Sequence, residues 1–144
     1  MRKSFFGAIA FAAMFVGGAA HAATLTVYKS PSCGCCGKWI EHVEAHGFTV
    51  TTVPTDDMVA VKKRLGVPDD AMSCHTTKVG NYVVEGHVPA SDIKRLLAQK
   101  PKARGIAVAG MPMGSPGMEM SGQRQPYATM LIGSNGKLSV FARH

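Results

Sequence analysis

Residues 24–53 read TLTVYKSPSCGCCGKWIEHVEAHGFTVTTV, and this stretch determines how the fold begins. The apolar, β-rich run at 25–28 predicts a strand that ends at a Ser-Pro-Ser segment. Residues 38–46 carry apolar side chains at helical spacing before Gly47, which indicates an amphipathic helix with a glycine stop. Residues 48–53 predict a second strand. Three clustered cysteines therefore lie between a first strand and the start of a helix.

The pattern continues toward the C-terminus with a second helix and a hairpin. Asp56 or Asp57 can cap a helix that runs to about Leu65, where a glycine and a proline follow. Residues 76–79 and 82–85 flank a Gly-Asn dipeptide and predict two antiparallel strands joined by a tight turn. The order to this point is strand, helix, strand, helix, hairpin.

A third helix opens at Pro89 and completes an α/β order typical of a thioredoxin-like domain. This core covers about residues 24–98, and residues 99–144 form an extension. Within the extension, residues 101–126 are rich in Met, Gly and Pro and predict a long loop, a feature that is uncommon in compact domains and often functional. The chain is predicted to finish with a hairpin formed by 127–132 and 138–142.

The N-terminus has the pattern of a secretory signal peptide. Basic residues precede an apolar run at 5–16, which is too short to cross a bilayer, and Ala20-His21-Ala22 offers a cleavage site. We therefore expect residues 1–22 to be removed after Ala22 and residues 23–144 to form one periplasmic domain without a membrane span. The sequence has 16 Lys and Arg residues and 9 Asp and Glu residues. The basic residues form no run, so they give no case for nucleic-acid binding.

The four cysteines are concentrated in a way that suggests chemistry. Cys33 and Cys36 have the spacing of a redox pair and are expected to form a disulfide on mild oxidation. Thiols at a helix N-terminus meet free backbone N–H groups and the positive end of the helix dipole, which favour the thiolate. The alternative is a structural Cys33–Cys36 disulfide, with Cys35 and Cys74 inert.

Cys74 and His75 directly precede the predicted hairpin. In thioredoxins the corresponding loop faces the redox cysteines, so both residues are expected to form the far wall of the same site. A set of thiols and an imidazole suits Cu(I), the ion that soft ligands select, although zinc accepts the same ligand types. The alternative is a buried small residue beside a hydrogen-bonded histidine.

The Met-rich loop and the remaining histidines supply further candidate ligands. Thioethers are soft ligands for Cu(I), so the loop either contributes ligands or packs onto the site. His87 is the best candidate among the other histidines, whereas His42 and His46 are expected to face outward. The candidate methionines are Met111, Met113, Met118 and Met120.

The sequence also resembles a specific family, the CopG-type periplasmic copper proteins, long catalogued as a domain of unknown function. The resemblance implies a thioredoxin-like fold, copper handling in the cell envelope, a multi-copper thiolate cluster and an oxidoreductase role. It implies metal binding by Cys33, Cys35, Cys36 and Cys74, with His75 as a further ligand. The matching stretches are KSPSCGCCGKW (29–39), SCHT (73–76), YVVEGHVPA (82–90) and GMPMGSPGME (110–119).

Three functions are compatible with these sequence features. The first is a copper-binding resistance or homeostasis protein that sequesters copper or passes it to envelope copper-handling proteins. The second is a copper-dependent oxidoreductase that cycles Cu(I) and Cu(II). The third is a metal-free thiol–disulfide oxidoreductase that uses Cys33 and Cys36. Cys35, Cys74 and the Met-rich loop favour the first two, and the sequence does not separate these from each other.

Overall fold

The computed structural model describes residues 22–120 and 122–144, so the proposed signal peptide lies, except for Ala22, outside the described residues. No helix in these ranges is long and apolar enough to span a bilayer. The elements are β1 Thr24–Lys29, α1 Gly34–Ala45, β2 Thr49–Pro54, α2 Met58–Leu65, a short 3-10 turn Asp69–Ala71, β3 Thr76–Val79, β4 Tyr82–Glu85, α3 Ala90–Gln99, β5 Ala103–Ala107, β6 Ala128–Gly133 and β7 Leu138–Arg143.

The strands form one mixed sheet in the order β2-β1-β3-β4-β5-β6-β7. β1 runs parallel to β2 and antiparallel to β3, and β4 runs antiparallel to β3 and parallel to β5. The predicted C-terminal hairpin is present and extends the sheet by β6 and β7. The α/β class and the predicted order of the first seven elements are therefore confirmed.

The start of α1 lies four residues before the predicted one. Cys33 is the N-cap residue, with φ −77° and ψ 95°, and its side chain makes no capping hydrogen bond. Cys35 and Cys36 therefore belong to the first helical turn. The apolar spacing that predicted the helix begins only at Trp39, and Gly34 and Gly37 have poor helix propensity, which packing of the helix overrides.

The interpretation of residues 101–126 as a continuous loop was wrong. Its first part is β5, which pairs in parallel with β4 after the α3 crossover and with β6 on its other side. Arg104 and Gly105 interrupt the apolar pattern of this five-residue strand, so periodicity alone did not reveal it. The loop itself lies between β5 and β6 and is described at residues 108–120 and 122–127.

Two apolar clusters cover the two faces of the sheet. The larger cluster joins Trp39 of α1 and Ile93 of α3 to Val84, and the smaller one joins Val67, from the segment after α2, to Val83. Because neighbouring residues of a strand point to opposite faces, Val83 and Val84 assign the clusters to opposite sides. The helices α1 and α3 therefore share one face.

A buried ion pair ties α2 to the sheet. The Lys62 ammonium donates to Glu85 Oε1 at 2.5 Å and to Thr76 Oγ1 at 2.9 Å. The Glu85 carboxylate also accepts hydrogen bonds from Thr76 Oγ1 at 2.6 Å and from the backbone N–H of Ser73 at 2.7 Å. These bonds fix the segment that leads into β3, and this segment carries Cys74.

Gly105 provides a test of the β4–β5 pairing. An added Cβ at this position would lie 1.8 Å from the backbone carbonyl oxygen of Val83, an atom that cannot move without breaking the ladder. We expect Gly105→Ala to lower the free energy of unfolding by about 3 kcal/mol, the upper range for overpacking. Urea unfolding of the reduced, metal-free protein measures this loss.

Gly37→Ala is the matched control, because an added Cβ there meets no atom within 4 Å. Inside α1 this change should leave the stability unchanged or raise it by up to about 1 kcal/mol. Equal stabilities of the two variants would contradict the tight β4–β5 contact.

Candidate metal centre

Four cysteine sulfurs lie together at the N-terminus of α1. Cys33 and Cys36 form a disulfide, as the spacing predicted, and the thiols of Cys35 and Cys74 are free. The Sγ atoms of Cys33 and Cys35 are 3.6 Å apart, and those of Cys36 and Cys74 are 3.7 Å apart. All four sulfurs lie within 4.8 Å of one another. The predicted position of Cys74 opposite the helix-start cysteines is confirmed.

The sheet register brings these cysteines together. β1 leads directly into the cysteine segment, and its residue Tyr28 pairs with Thr76 at the start of β3. Because the two strands are antiparallel, the residues just before Thr76 lie beside the residues just after β1. Cys74 therefore meets Cys36 although the two are 38 positions apart in the sequence.

Two histidines extend the site on the side of Cys74. The Cys74 Sγ atom lies 3.3 Å from His75 Nδ1 and 3.0 Å from His87 Nε2. The three side chains form a second group whose ligand atoms lie within 4.8 Å of one another. His75, which was predicted here, and His87, which was a weaker candidate, are therefore both brought to the site.

The surroundings of each histidine restrict which nitrogen is available. His87 Nδ1 donates to the carbonyl of Pro116 at 2.7 Å, since a carbonyl can only accept, and this leaves Nε2 as the acceptor in the neutral ring. His75 packs against Trp39 with ring centroids 4.5 Å apart. His75 Nε2 is buried and has no hydrogen-bond partner among the described residues, which is costly unless another group satisfies it.

Burial shapes the charges of this site. It lowers the pKa of His75 well below the ordinary value, and it also lowers the pKa of His87. Burial and the neighbouring Cys35 thiol raise the pKa of Cys74 to about 11. Near neutral pH the imidazoles are therefore uncharged, which is the form that binds metal. The Cys74 thiol keeps its proton until a metal ion replaces the proton or a base removes it.

The loop at 108–127 covers the site from outside the sheet. Besides the Pro116 carbonyl it contributes Gly117, whose φ of +85° favours glycine. A Cβ at Gly117 would lie 2.9 Å from the backbone nitrogen of Trp39 and 3.2 Å from His87 Nδ1. The loop backbone thus fits against α1 and His87 at a distance that a larger residue would prevent.

The four methionines flank this contact on both sides. Met113 and Met118 are half-buried, whereas Met111 and Met120 are 50% and 55% exposed. The loop turn is closed by hydrogen bonds from the N–H of Gly114 to the Met118 carbonyl and from the N–H of Met118 to the Ser115 carbonyl. The role of the four methionines as copper ligands stays a prediction.

The outward orientation predicted for His42 was wrong, whereas His46 is exposed as expected. His42 is half-buried, and its Nε2 atom accepts a hydrogen bond from the backbone N–H of Ala90 at 3.1 Å. Ala90 begins α3, and its N-cap residue Pro89 makes no side-chain capping bond, so His42 supplies the missing acceptor. Neither histidine contributes to the site.

Sequence reasoning also missed Pro116, Gly117 and the Lys62–Glu85 pair. A Pro-Gly dipeptide signals a turn, and glycine is the residue that allows close approach of a backbone, but neither signal names the partner. Lys62 stands among other basic residues of α2, and nothing in its spacing distinguishes a buried ammonium from an exposed one.

One known family model covers part of the site. A family model described as a protein of unknown function, DUF411, matches residues 71–118, which include Cys74, both histidines and most of the Met-rich loop. No curated protein sequence matches the chain.

Two solved structures resemble the whole domain. One is the copper resistance protein CopG in its form 2, with 45% sequence identity, coverage of 85% of this chain and 98% of that chain, and a TM-score of 0.82. The other is the same protein in its form 1, with 46% identity, the same coverage and a TM-score of 0.81. At this identity over nearly all of the solved protein, the chain belongs to the family of the copper resistance protein CopG.

Proposed function

We propose that this protein binds copper(I) in the cell envelope and serves copper resistance or homeostasis. The observation that carries the proposal is the gathering of four cysteine sulfurs within 4.8 Å, with two neutral histidines beside Cys74. The choice of copper is supported by the similarity to the solved structures of CopG, which is a copper resistance protein by name.

The donor set fits soft metal ions. A thiolate binds such an ion at about 2.3 Å, so two sulfurs that share one ion lie at most about 4.6 Å apart. The Cys33–Cys35 and Cys36–Cys74 separations of 3.6 and 3.7 Å meet this limit without backbone movement. Reduction of the Cys33–Cys36 disulfide must come first, because the thiolate is the binding form.

The number of donors favours more than one ion. We assign metal binding to Cys33, Cys35, Cys36 and Cys74, whose thiolates can bridge neighbouring ions. His75 and His87 would serve as borderline ligands on the inner side, through Nδ1 of His75 and Nε2 of His87, the nitrogens that lie next to Cys74 Sγ. Zinc accepts Cys and His as well, but a zinc site would give the thioether ligands no role. The Met-rich loop would then provide a route by which copper enters or leaves, through Met111, Met113, Met118 and Met120.

The scaffold proposed for this site is a thioredoxin-like unit over residues 24–98. Its support is the sheet order β2-β1-β3-β4, with β1 parallel to β2, and the placement of Cys33 at the start of the helix after β1. Residues 99–144 would be an extension that adds β5 to β7 and the loop over the site.

A second function is favoured by one specific observation, the Cys33–Cys36 disulfide. A disulfide at a helix start with two free thiols in contact is suited to thiol–disulfide oxidoreductase activity, with or without copper. In the copper-dependent version, the cluster would carry the electron as copper cycles between Cu(I) and Cu(II). Metal content of the protein isolated anaerobically separates the metal-free version from the other two.

The export of the protein is part of the proposal. Its support is the basic start, the apolar run at 5–16 and the Ala20-His21-Ala22 site in the sequence. N-terminal sequencing of the protein isolated from its native cells should give Ala23 as the first residue. Recovery from the cytosolic fraction with the N-terminus intact would contradict it.

The first copper experiment measures stoichiometry. The reduced protein, loaded anaerobically and dialysed, should retain more than one Cu(I) per chain, because four thiolates can bridge ions. The double variant Cys33→Ser and Cys36→Ser should lose this capacity, as measured by elemental analysis against protein concentration. Full copper loading of the double variant would contradict the assignment.

The second copper experiment tests the far wall. Cys74→Ser should lower copper stoichiometry, or lower affinity by at least about tenfold in competition with a Cu(I) chelator, because one bridging thiolate is lost. Far-ultraviolet circular dichroism should stay unchanged, since Cys74 is half-buried and outside the apolar clusters.

The control for this wall is a pair of histidine variants. His87→Ala should weaken binding, whereas His46→Ala, which changes an exposed histidine of the same type, should not. Wild-type copper content and affinity in Cys74→Ser and in His87→Ala would confine the site to the helix-start cysteines.

A further inference from the structure

The contact between Cys74 and Cys36 has a meaning for the oxidised protein that does not depend on copper. Cys36 carries the inner sulfur of the disulfide and is 0% exposed, whereas Cys33 is half-exposed. A thiol in solution therefore reaches Cys33 and is kept away from Cys36. The free thiol of Cys74 stands 3.7 Å from Cys36 Sγ, on the inner side.

We propose that Cys74 is an internal exchange thiol that moves the disulfide from Cys33–Cys36 to Cys36–Cys74. The Cys74 sulfur attacks Cys36 Sγ, the Cys36–Cys74 bond forms, and the Cys33–Cys36 bond breaks. The bonding electrons leave with Cys33 as its thiolate. The number of disulfides and thiols is the same before and after, so the step requires no external oxidant or reductant.

The proton of Cys74 has an acceptor in place. His87 Nε2 lies 3.0 Å from Cys74 Sγ, and its other nitrogen donates to the Pro116 carbonyl, which orients the ring and leaves Nε2 able to accept. A thiol, an imidazole and an orienting acceptor are the arrangement by which proteins activate a cysteine nucleophile. The step therefore transfers the Cys74 proton to His87 Nε2 as the sulfur attacks, and it does not start from a preformed thiolate.

The thiolate of the leaving group is stabilised by its position. Cys33 is the N-cap residue of α1, where the free N–H groups of the first turn stabilise a thiolate. Its sulfur is then free beside that of Cys35, 3.6 Å away in the starting state. The exchange thus moves the disulfide to the buried side of the site. It leaves Cys33 and Cys35 as free thiols on the partly exposed side.

A competing route is defined by the same geometry. Cys35 also touches the disulfide, but its contact is with Cys33 Sγ. Attack by Cys35 at that sulfur would release the buried Cys36 and join Cys33 to Cys35. The two routes therefore differ in which cysteine becomes free, and peptide mapping distinguishes them.

The experiment uses the metal-free, disulfide-bonded protein of residues 23–144 with a chelator present. Iodoacetamide is added, samples are quenched with acid over time, and peptides are mapped by mass without reduction. We expect carboxamidomethylation of Cys33 together with a Cys36–Cys74 linked peptide, at a rate independent of protein concentration. A Cys33–Cys35 link with labelled Cys36, or labels confined to Cys35 and Cys74, would overturn the proposal.

Two variants test the roles of the groups. Cys74→Ser should reduce labelling of Cys33 at least about a hundredfold, and His87→Gln should slow it about a hundredfold, the lower end of the range for loss of a general base. His46→Gln is the matched control and should label at the wild-type rate. Labelling of Cys33 in Cys74→Ser at the wild-type rate would overturn the proposal, and since copper is absent, this result leaves the copper assignment to its own test.

Discussion

The antiparallel pairing of β1 with β3 is the constraint on which the rest of the site depends. It aligns Tyr28 with Thr76, and so places the turn before α1 against the segment before β3. Without this register the cysteines of the two segments would be separated by the length of the intervening strand and helices. The local Cys-rich motif contributes three of the four sulfurs. Sheet pairing brings the fourth sulfur to them and so completes the donor set.

A second constraint is the balance between burial and chemistry. Three sides of the site are closed by α1, the β3–β4 hairpin and the loop at Gly117, so its histidines are neutral and its inner thiol holds its proton. Such a site gains stability when a positive ion replaces that proton.

Much of this arrangement could be predicted from the sequence. Strong local patterns, such as the apolar run before the cysteines, predicted the first seven elements, and analogy to the thioredoxin order placed Cys74 opposite Cys36. What failed depended on distant partners. The short strand at Ala103–Ala107 is stabilised by neighbours on both sides, and His42 satisfies an N–H of Ala90 that belongs to another helix. Neither partner is readable from a local window.

The Lys62–Glu85 pair has a consequence for which mutations are tolerated. Glu85 holds the N–H of Ser73, the residue that precedes Cys74, and its own charge is matched by an ammonium from a different helix. Loss of one partner leaves an uncompensated buried charge, whereas replacement of both by apolar residues is often tolerated. In a genetic screen scored by copper tolerance, single changes at either position should therefore resemble the loss of a ligand, and revertants should arise at the other position.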